Sequence, residues 1–191
     1  MTEKVKNIIE ESISVKRELL QSPELLSAIP SCVNVLVSVF RNGGKVLFCG
    51  NGGSAADAQH LAAELSGRFY KERKPLFAEV LHGNSSFLTA VANDYGYEEA
   101  FARGVEAQGR AGDVLVVLST SGKSPNILKA AQKAWETGMT VIGFTGKSGG
   151  QLPELCDLVL QCPSENTPRI QECHILIGHI LCQLIEEELF G

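Results

Sequence analysis

His60 and Glu64 stand four residues apart in a stretch containing Ala58, Leu61, Ala62, Ala63 and Leu65, whose pattern reads as a packed helix. That spacing puts both side chains on one helical face. An imidazole and a carboxylate on such a helix need partners or a pocket, because polar groups buried unpaired are costly. Further along, Gln171, Glu172, His174 and His179 are the polar members of an apolar run through Ile175, Leu176, Ile177, Ile180, Leu181 and Leu184. Gln171 and His179 lie about 80° apart around a helix, so both can border one cleft. Glu64 and His179 can carry protons to and from a substrate. His60, Glu64, Gln171 and His179 can also offer nitrogen and oxygen ligands to a divalent metal, and two histidines with a carboxylate suit zinc or a similar first-row ion. The competing reading is an ordinary polar pair on a helix surface and a satisfied core histidine. His174 reads as structural or interfacial, and His82, just after a strand, carries a weaker signal. Asn93 and Asp94 either line the same cleft or form a helix-ending turn.

Two loops have the composition of anion sites. The first runs Cys49-Gly50-Asn51-Gly52-Gly53-Ser54. Its glycines permit close backbone approach, Ser54 can cap the following helix, and amides at a helix start can hold an anion. The second runs Ser119-Thr120-Ser121-Gly122-Lys123-Ser124-Pro125-Asn126. Ser124 reads as an N-cap with Pro125 at the first helical position, and Ser119, Thr120, Ser121 and Ser124 can surround a phosphate. Neither loop fits GxGxxG or GxxxxGK[ST], so a sugar phosphate is favoured over a nucleotide. The bland alternative is a pair of capped strand-to-helix turns.

The elements that must position these residues are legible as an alternation. Short apolar runs at Val46–Cys49, Phe77–Leu81, Val114–Leu118, Thr140–Phe144 and Leu158–Leu160 are separated by helical patterns over 54–66, 86–93, 97–108, 124–137 and 168–189. This order predicts an α/β protein with a parallel sheet covered on both faces. Both loops then fall at carboxyl ends of strands, where such sheets bind ligands. Residues 3–20 read as a helix, Pro23 opens another, Pro30 interrupts it and Asn42-Gly43-Gly44 ends it. This divides the chain into an N-terminal helical segment, 1–42, packing on the core or forming an oligomer interface, and an α/β domain, 43–191.

Composition narrows the classes. The 191 residues are 44% hydrophobic and 20% charged, with a net charge of -5. That excludes a disordered or collagen-like chain. The absence of a basic block argues against nucleic acid as the main ligand. Nothing resembles a secretory signal or an uninterrupted apolar span, so no membrane is expected and the location is read as cytoplasmic. Six scattered cysteines without a CxxC pair read as small hydrophobes rather than a disulfide framework.

The stretches CGNGGSAADAQHLAAELSGRF (49–69), LTAVANDYGYE (88–98), GDVLVVLSTSGKSPNILKA (112–130), GMTVIGFTG (138–146) and RIQECHILIGHILCQLIE (169–186) together resemble the phosphoheptose isomerase family of the sugar isomerase (SIS) domain group. The resemblance covers nearly the whole length. It implies a three-layer α-β-α SIS fold with a five-stranded parallel sheet, assembled as a homotetramer with active sites at subunit interfaces. It implies interconversion of sedoheptulose 7-phosphate and D-glycero-D-manno-heptose 7-phosphate, a step toward the ADP-heptose of lipopolysaccharide and other surface glycans. The positions resembling the catalytic pair are Glu64 and His179. Those resembling ligands of one Zn2+ per subunit are His60, Glu64, Gln171 and His179. Substrate contacts would come from Asn51, Gly52, Ser54, Glu64, Asn93, Asp94, Ser119, Thr120, Ser121, Ser124 and Gln171.

Three rivals are set against this reading. A related bacterial adaptor that associates with a replication initiator shares the glycine loop and the RIQExH stretch. It departs at the positions matching Glu64 and His179. Regulatory SIS domains normally carry a nucleic-acid-binding domain, for which no room remains here. Isomerisation of a hexose or pentose phosphate fits the same chemistry, and only the resemblance points to a seven-carbon sugar.

Overall fold

Strands made of unbroken apolar residues must be covered on both sides. The computed structural model, which describes all 191 residues, shows how this chain meets that demand. Its five strands are β1 (Val46–Gly50), β2 (Ala78–Val80), β3 (Val114–Ser119), β4 (Thr140–Thr145) and β5 (Leu158–Gln161). They form one parallel sheet in the order β2-β1-β3-β4-β5. The helices are α1 (Thr2–Leu20), α2 (Pro23–Arg41), α3 (Gly53–Ser66), α4 (Ser85–Tyr95), α5 (Ala100–Gln108), α6 (Pro125–Thr137) and α7 (Thr167–Phe190).

Alternate strand residues serve opposite faces. Val46, Phe48, Val116, Leu118 and Phe144 pack with Leu36 of α2, Leu61 and Leu65 of α3 and Ile177 of α7. Leu47, Cys49, Leu115, Val117 and Val141 pack with Phe101 and Val105 of α5 and Ile127, Ala130 and Ala134 of α6. Full burial of each large side chain contributes roughly 1.5–3 kcal/mol. The three-layer α-β-α architecture is therefore the expected one.

Local expectations fail at three places. Pro30 does not interrupt α2, which runs unbroken from Pro23 to Arg41. The proline is on the exposed side, and Leu25, Ile29, Cys32, Val33, Leu36 and Val37 are buried on the other. Their burial outweighs the lost backbone bond. The second strand covers only Ala78–Val80, and Phe77 is largely exposed. The stretch expected to be helical from 97 begins as a 3-10 turn, Tyr97–Glu99, and becomes α5 only at Ala100. Helix α2 is long and apolar enough to cross a membrane by composition alone, but its apolar side is part of the core described above.

The most demanding burial is ionic. Glu186 of α7 and Arg73, in the segment following α3, have side chains only 2% exposed and are joined at 2.9 Å. The Glu186 carboxylate also accepts from the amides of Phe69, Tyr70 and Lys71 at 3.2, 2.8 and 2.7 Å. Arg73 in turn donates to the carbonyls of Glu64 and Leu65 at 2.8 and 2.9 Å. Burial pushes the Glu186 pKa up, but the donors around it prevail and the net shift is downward. A carboxylate held low stabilises the fold fully above its ordinary value of 4.5. That contribution is lost as pH falls through the depressed folded value. Glu186→Ala leaves Arg73 buried without its partner, and urea denaturation at neutral pH is expected to show a loss of about 3–5 kcal/mol. The deficit relative to wild type should shrink as the comparison is repeated at progressively lower pH below 4.5. An unchanged urea midpoint at neutral pH would refute the assignment.

Candidate functional site

The crossover from β1 passes through α3 on one face of the sheet, and that from β3 passes through α6 on the other. Between β1 and β3 the strand order reverses, which opens a crevice at the carboxyl ends of the strands. The two loops singled out above flank it.

In the glycine loop each glycine has its own reason. Gly52 has φ +54°, a left-handed conformation that turns the chain into α3. A Cβ on Gly50 would meet the Ser54 carbonyl oxygen at 2.4 Å, and one on Gly53 would meet the Gln171 amide nitrogen at 2.6 Å. Ser54 does not cap α3 as expected. It lies buried inside the first turn, and Gly52 occupies the cap position without a side-chain bond. The left-handed glycine already makes the turn a capping serine would have made. The serine loop behaves closer to expectation. Ser119 is buried at the end of β3, and its hydroxyl accepts from the Gly122 amide at 3.2 Å and lies 3.4 Å from that of Ser124. Lys123 N–H donates to Ser121 at 3.3 Å. Ser124 stands at the α6 N-cap with Pro125 following, but its side chain bonds no helix amide. Pro125 has no N–H and the Ile127 amide already donates to the Ser124 carbonyl at 3.0 Å, so of the first turn of α6 the Asn126 amide is the one left for a ligand.

The acid/base candidates converge. His60 Nε2 is 3.0 Å from His179 Nε2 and 3.2 Å from Glu64 Oε1. One ligand atom from each of the three lies within 4.8 Å of the others. Phe69 packs beside the His179 ring, with centroids 5.7 Å apart. Ligand atoms around a tetrahedral zinc bonded at 2.0–2.1 Å are separated by about 3.3 Å. The His60 separations fall within a few tenths of an ångström of that value. The group is therefore a possible metal-binding site whose donor set fits zinc chemistry. Gln171 lies against Gly53, at the start of the helix that carries His60 and Glu64.

Other candidates are placed differently. Asn93 and Asp94, near the end of α4, bond to each other at 2.8 Å and to no other candidate. His174 is fully buried, donating to the Thr145 carbonyl at 3.3 Å, and burial lowers its pKa to about 4, so it is a neutral structural group. His82 meets the Ala55 carbonyl at 3.1 Å, and burial lowers its pKa as well.

Sequence reading missed several participants. Asp57, one turn before His60, has a carboxylate oxygen buried without a partner; burial raises its pKa and His60 draws it back. Asn126 and Tyr97 both bond Asn51, at 2.9 Å each. Asn126 sits within the serine-loop motif, but no periodicity or spacing marks it as Asn51's partner.

Comparison with known proteins agrees with the fold. The model of the SIS domain family matches residues 11–146. The phosphoheptose isomerase of Rhodospirillum rubrum is 58% identical over 162 residues, covering 85% of this chain and 86% of its own. That of Clostridium acetobutylicum is 50% identical over 191 residues, covering 98% and 97%. The structure of the phosphoheptose isomerase of Neisseria gonorrhoeae superposes with a TM-score of 0.92 at 42% identity, covering 97% of this chain and 98% of that one. With its parallel sheet, its paired loops and this degree of likeness over nearly its full length, the chain belongs to the phosphoheptose isomerase family of SIS-domain proteins.

Proposed function

We propose that Glu64 and His179 carry the proton transfers of aldose–ketose isomerisation in the crevice between β1 and β3. The reaction interconverts D-sedoheptulose 7-phosphate and D-glycero-D-manno-heptose 7-phosphate. The observation that supports this assignment is the convergence of one carboxylate and two imidazoles beside two anion-type loops. In the open-chain ketose the C1 protons are acidic because C2 is a carbonyl. The Glu64 carboxylate takes a proton from C1 and leaves a cis-enediolate. Return of a proton to C2 gives the aldose. His179 moves the accompanying proton between the two oxygens. Ser119, Thr120, Ser121 and Ser124 surround the phosphate with hydroxyl and amide donors, and Asn51, Gly52 and Ser54 close it from the glycine loop. Asn93, Asp94 and Gln171 are assigned to the sugar.

We assign zinc to His60, Glu64, Gln171 and His179, where it would polarise the carbonyl and steady enediolate charge. A carboxylate bound tightly to a metal is a weaker base, so Glu64 is read as either loosely held or exchanging between the two roles. Assembly as a homotetramer is supported by α1, whose Val5, Ile8, Ile9 and Ile13 are half-exposed along one side of the helix. Such an apolar stripe is characteristic of an interface. On this reading residues 1–42 supply packing and assembly, and 43–191 carry the site. The six free cysteines suit a reducing, cytoplasmic setting, and the product is read as a precursor of surface-glycan heptose.

Purified protein given sedoheptulose 7-phosphate is expected to form the heptose 7-phosphate and to reach the same ratio from either side; folded protein supplied with zinc that converts neither would overturn the function. Glu64→Gln preserves volume and removes the base, so kcat should fall by about 10²–10⁴ with an unchanged melting curve. Wild-type turnover would reject Glu64 as the base. His60→Asn should lose bound zinc, measured by elemental analysis after dialysis, while wild type retains about one per subunit; equal metal content in the two would remove His60 from the ligand set. Light scattering should give four times the mass of the 20.5 kDa chain. A monomeric mass would overturn the assembly.

A further inference from the structure

Asn126 is the second residue of α6 and is only 3% exposed. A buried amide is costly unless paired, and this one pairs with a residue of the other loop. Asn51 Nδ2 donates to Asn126 Oδ1 at 2.9 Å, and Asn126 Nδ2 donates back to Asn51 Oδ1 at 2.9 Å. The two amides thus form a closed ring of two hydrogen bonds across the crevice. Asn51 Oδ1 accepts a further bond, at 2.9 Å, from the hydroxyl of Tyr97. The Tyr97 ring meets the buried Phe101 edge-on, with centroids 6.1 Å apart.

An asparagine side chain has two donor hydrogens and two acceptor lone pairs. Three of these four capacities of Asn51 are taken by protein, which leaves one N–H for any ligand. Asn51 is therefore held in place before substrate arrives. Its neighbour Gly52 caps α3, and Asn126 lies two residues after Ser124, the cap of α6. Tyr97 follows α4, the helix that ends just after Asp94. A single side chain consequently ties together the three segments that surround the crevice.

We propose that Asn126 and Tyr97 are positioning residues for the phosphosugar site: they act through Asn51 to fix the separation of the glycine and serine loops. The proposal rests on the reading of those loops as the phosphate site. The helix starts then meet the anion preorganised, and neither Asn126 nor Tyr97 touches the reacting atoms. Loss of the clamp should weaken binding more than turnover.

The test measures KM and kcat for sedoheptulose 7-phosphate, and the inhibition constant of inorganic phosphate, in Asn126→Ala, Tyr97→Phe and the double variant. Each single variant should raise KM and the phosphate constant by about 3–10-fold, the range of a lost hydrogen bond, with kcat within about twofold. Because both act through Asn51, the double variant should resemble Asn126→Ala rather than show the product of the two effects. Unchanged constants in both singles, multiplicative effects in the double, or a fall in kcat without a change in KM would overturn the proposal. Tyr97→Phe removes one exposed hydroxyl and stays folded, so it decides the matter even if Asn126→Ala does not fold. Failure of the wild type to convert the sugar would fault the functional reading instead. Direct titration with phosphate, followed by calorimetry, then still decides the clamp, and a wild type that binds no phosphate overturns both.

Discussion

The reversal of strand order between β1 and β3 is the constraint from which the site follows. Right-handed crossovers send α3 to one face of the sheet and α6 to the other. Their N-termini then diverge from adjacent strands and leave a gap that no side chain of the sheet fills. Most amides at the two helix starts turn back onto their own loops, but those of Gly53 and Asn126 have no acceptor within the protein, so the gap has a backbone donor on each side before any charged residue is added. This is how a chain of net charge -5 can present a site suited to an anion. The field that matters is local, and the global balance of lysine and glutamate has little bearing on it.

The side of the crevice that holds His60, Glu64 and His179 is built on the opposite kind of interaction, a charge pair removed from water. Glu186 and Arg73 together carry three loop amides and the last carbonyls of α3. One of those carbonyls belongs to Glu64. The buried pair therefore fastens the end of α3 to α7, the helix that supplies His179. A salt bridge in such a place adds little net stability compared with well-packed hydrophobic residues. Its value lies in direction, since its hydrogen bonds have only one satisfactory geometry.

The sheet, its helices and the convergence of His60, Glu64 and His179 were legible in the sequence, for different reasons. Continuous apolar runs and helical periodicity are local patterns, and they carried the fold. The convergence needed more than spacing: His60 with Glu64 follows from four-residue geometry, but their meeting with His179 rested on family resemblance. What the sequence concealed was mostly pairing between distant polar residues. Glu186 looked like one of several acidic residues near the end of α7, and Asn126 like a polar residue after a proline. Local rules also failed where another force was larger, as at Pro30, whose helix is held by its buried side, and at Ser54, displaced from the cap by Gly52.

Gly53 ties the glycine loop to a distant part of the chain. The space that a Cβ would occupy there is taken by the amide of Gln171. A side chain at 53 therefore requires the flexible end of Gln171 to swing away from its present place. Bulk added to the glycine loop at this position would be felt first not in the loop itself but as a displaced amide on the helix bearing His179.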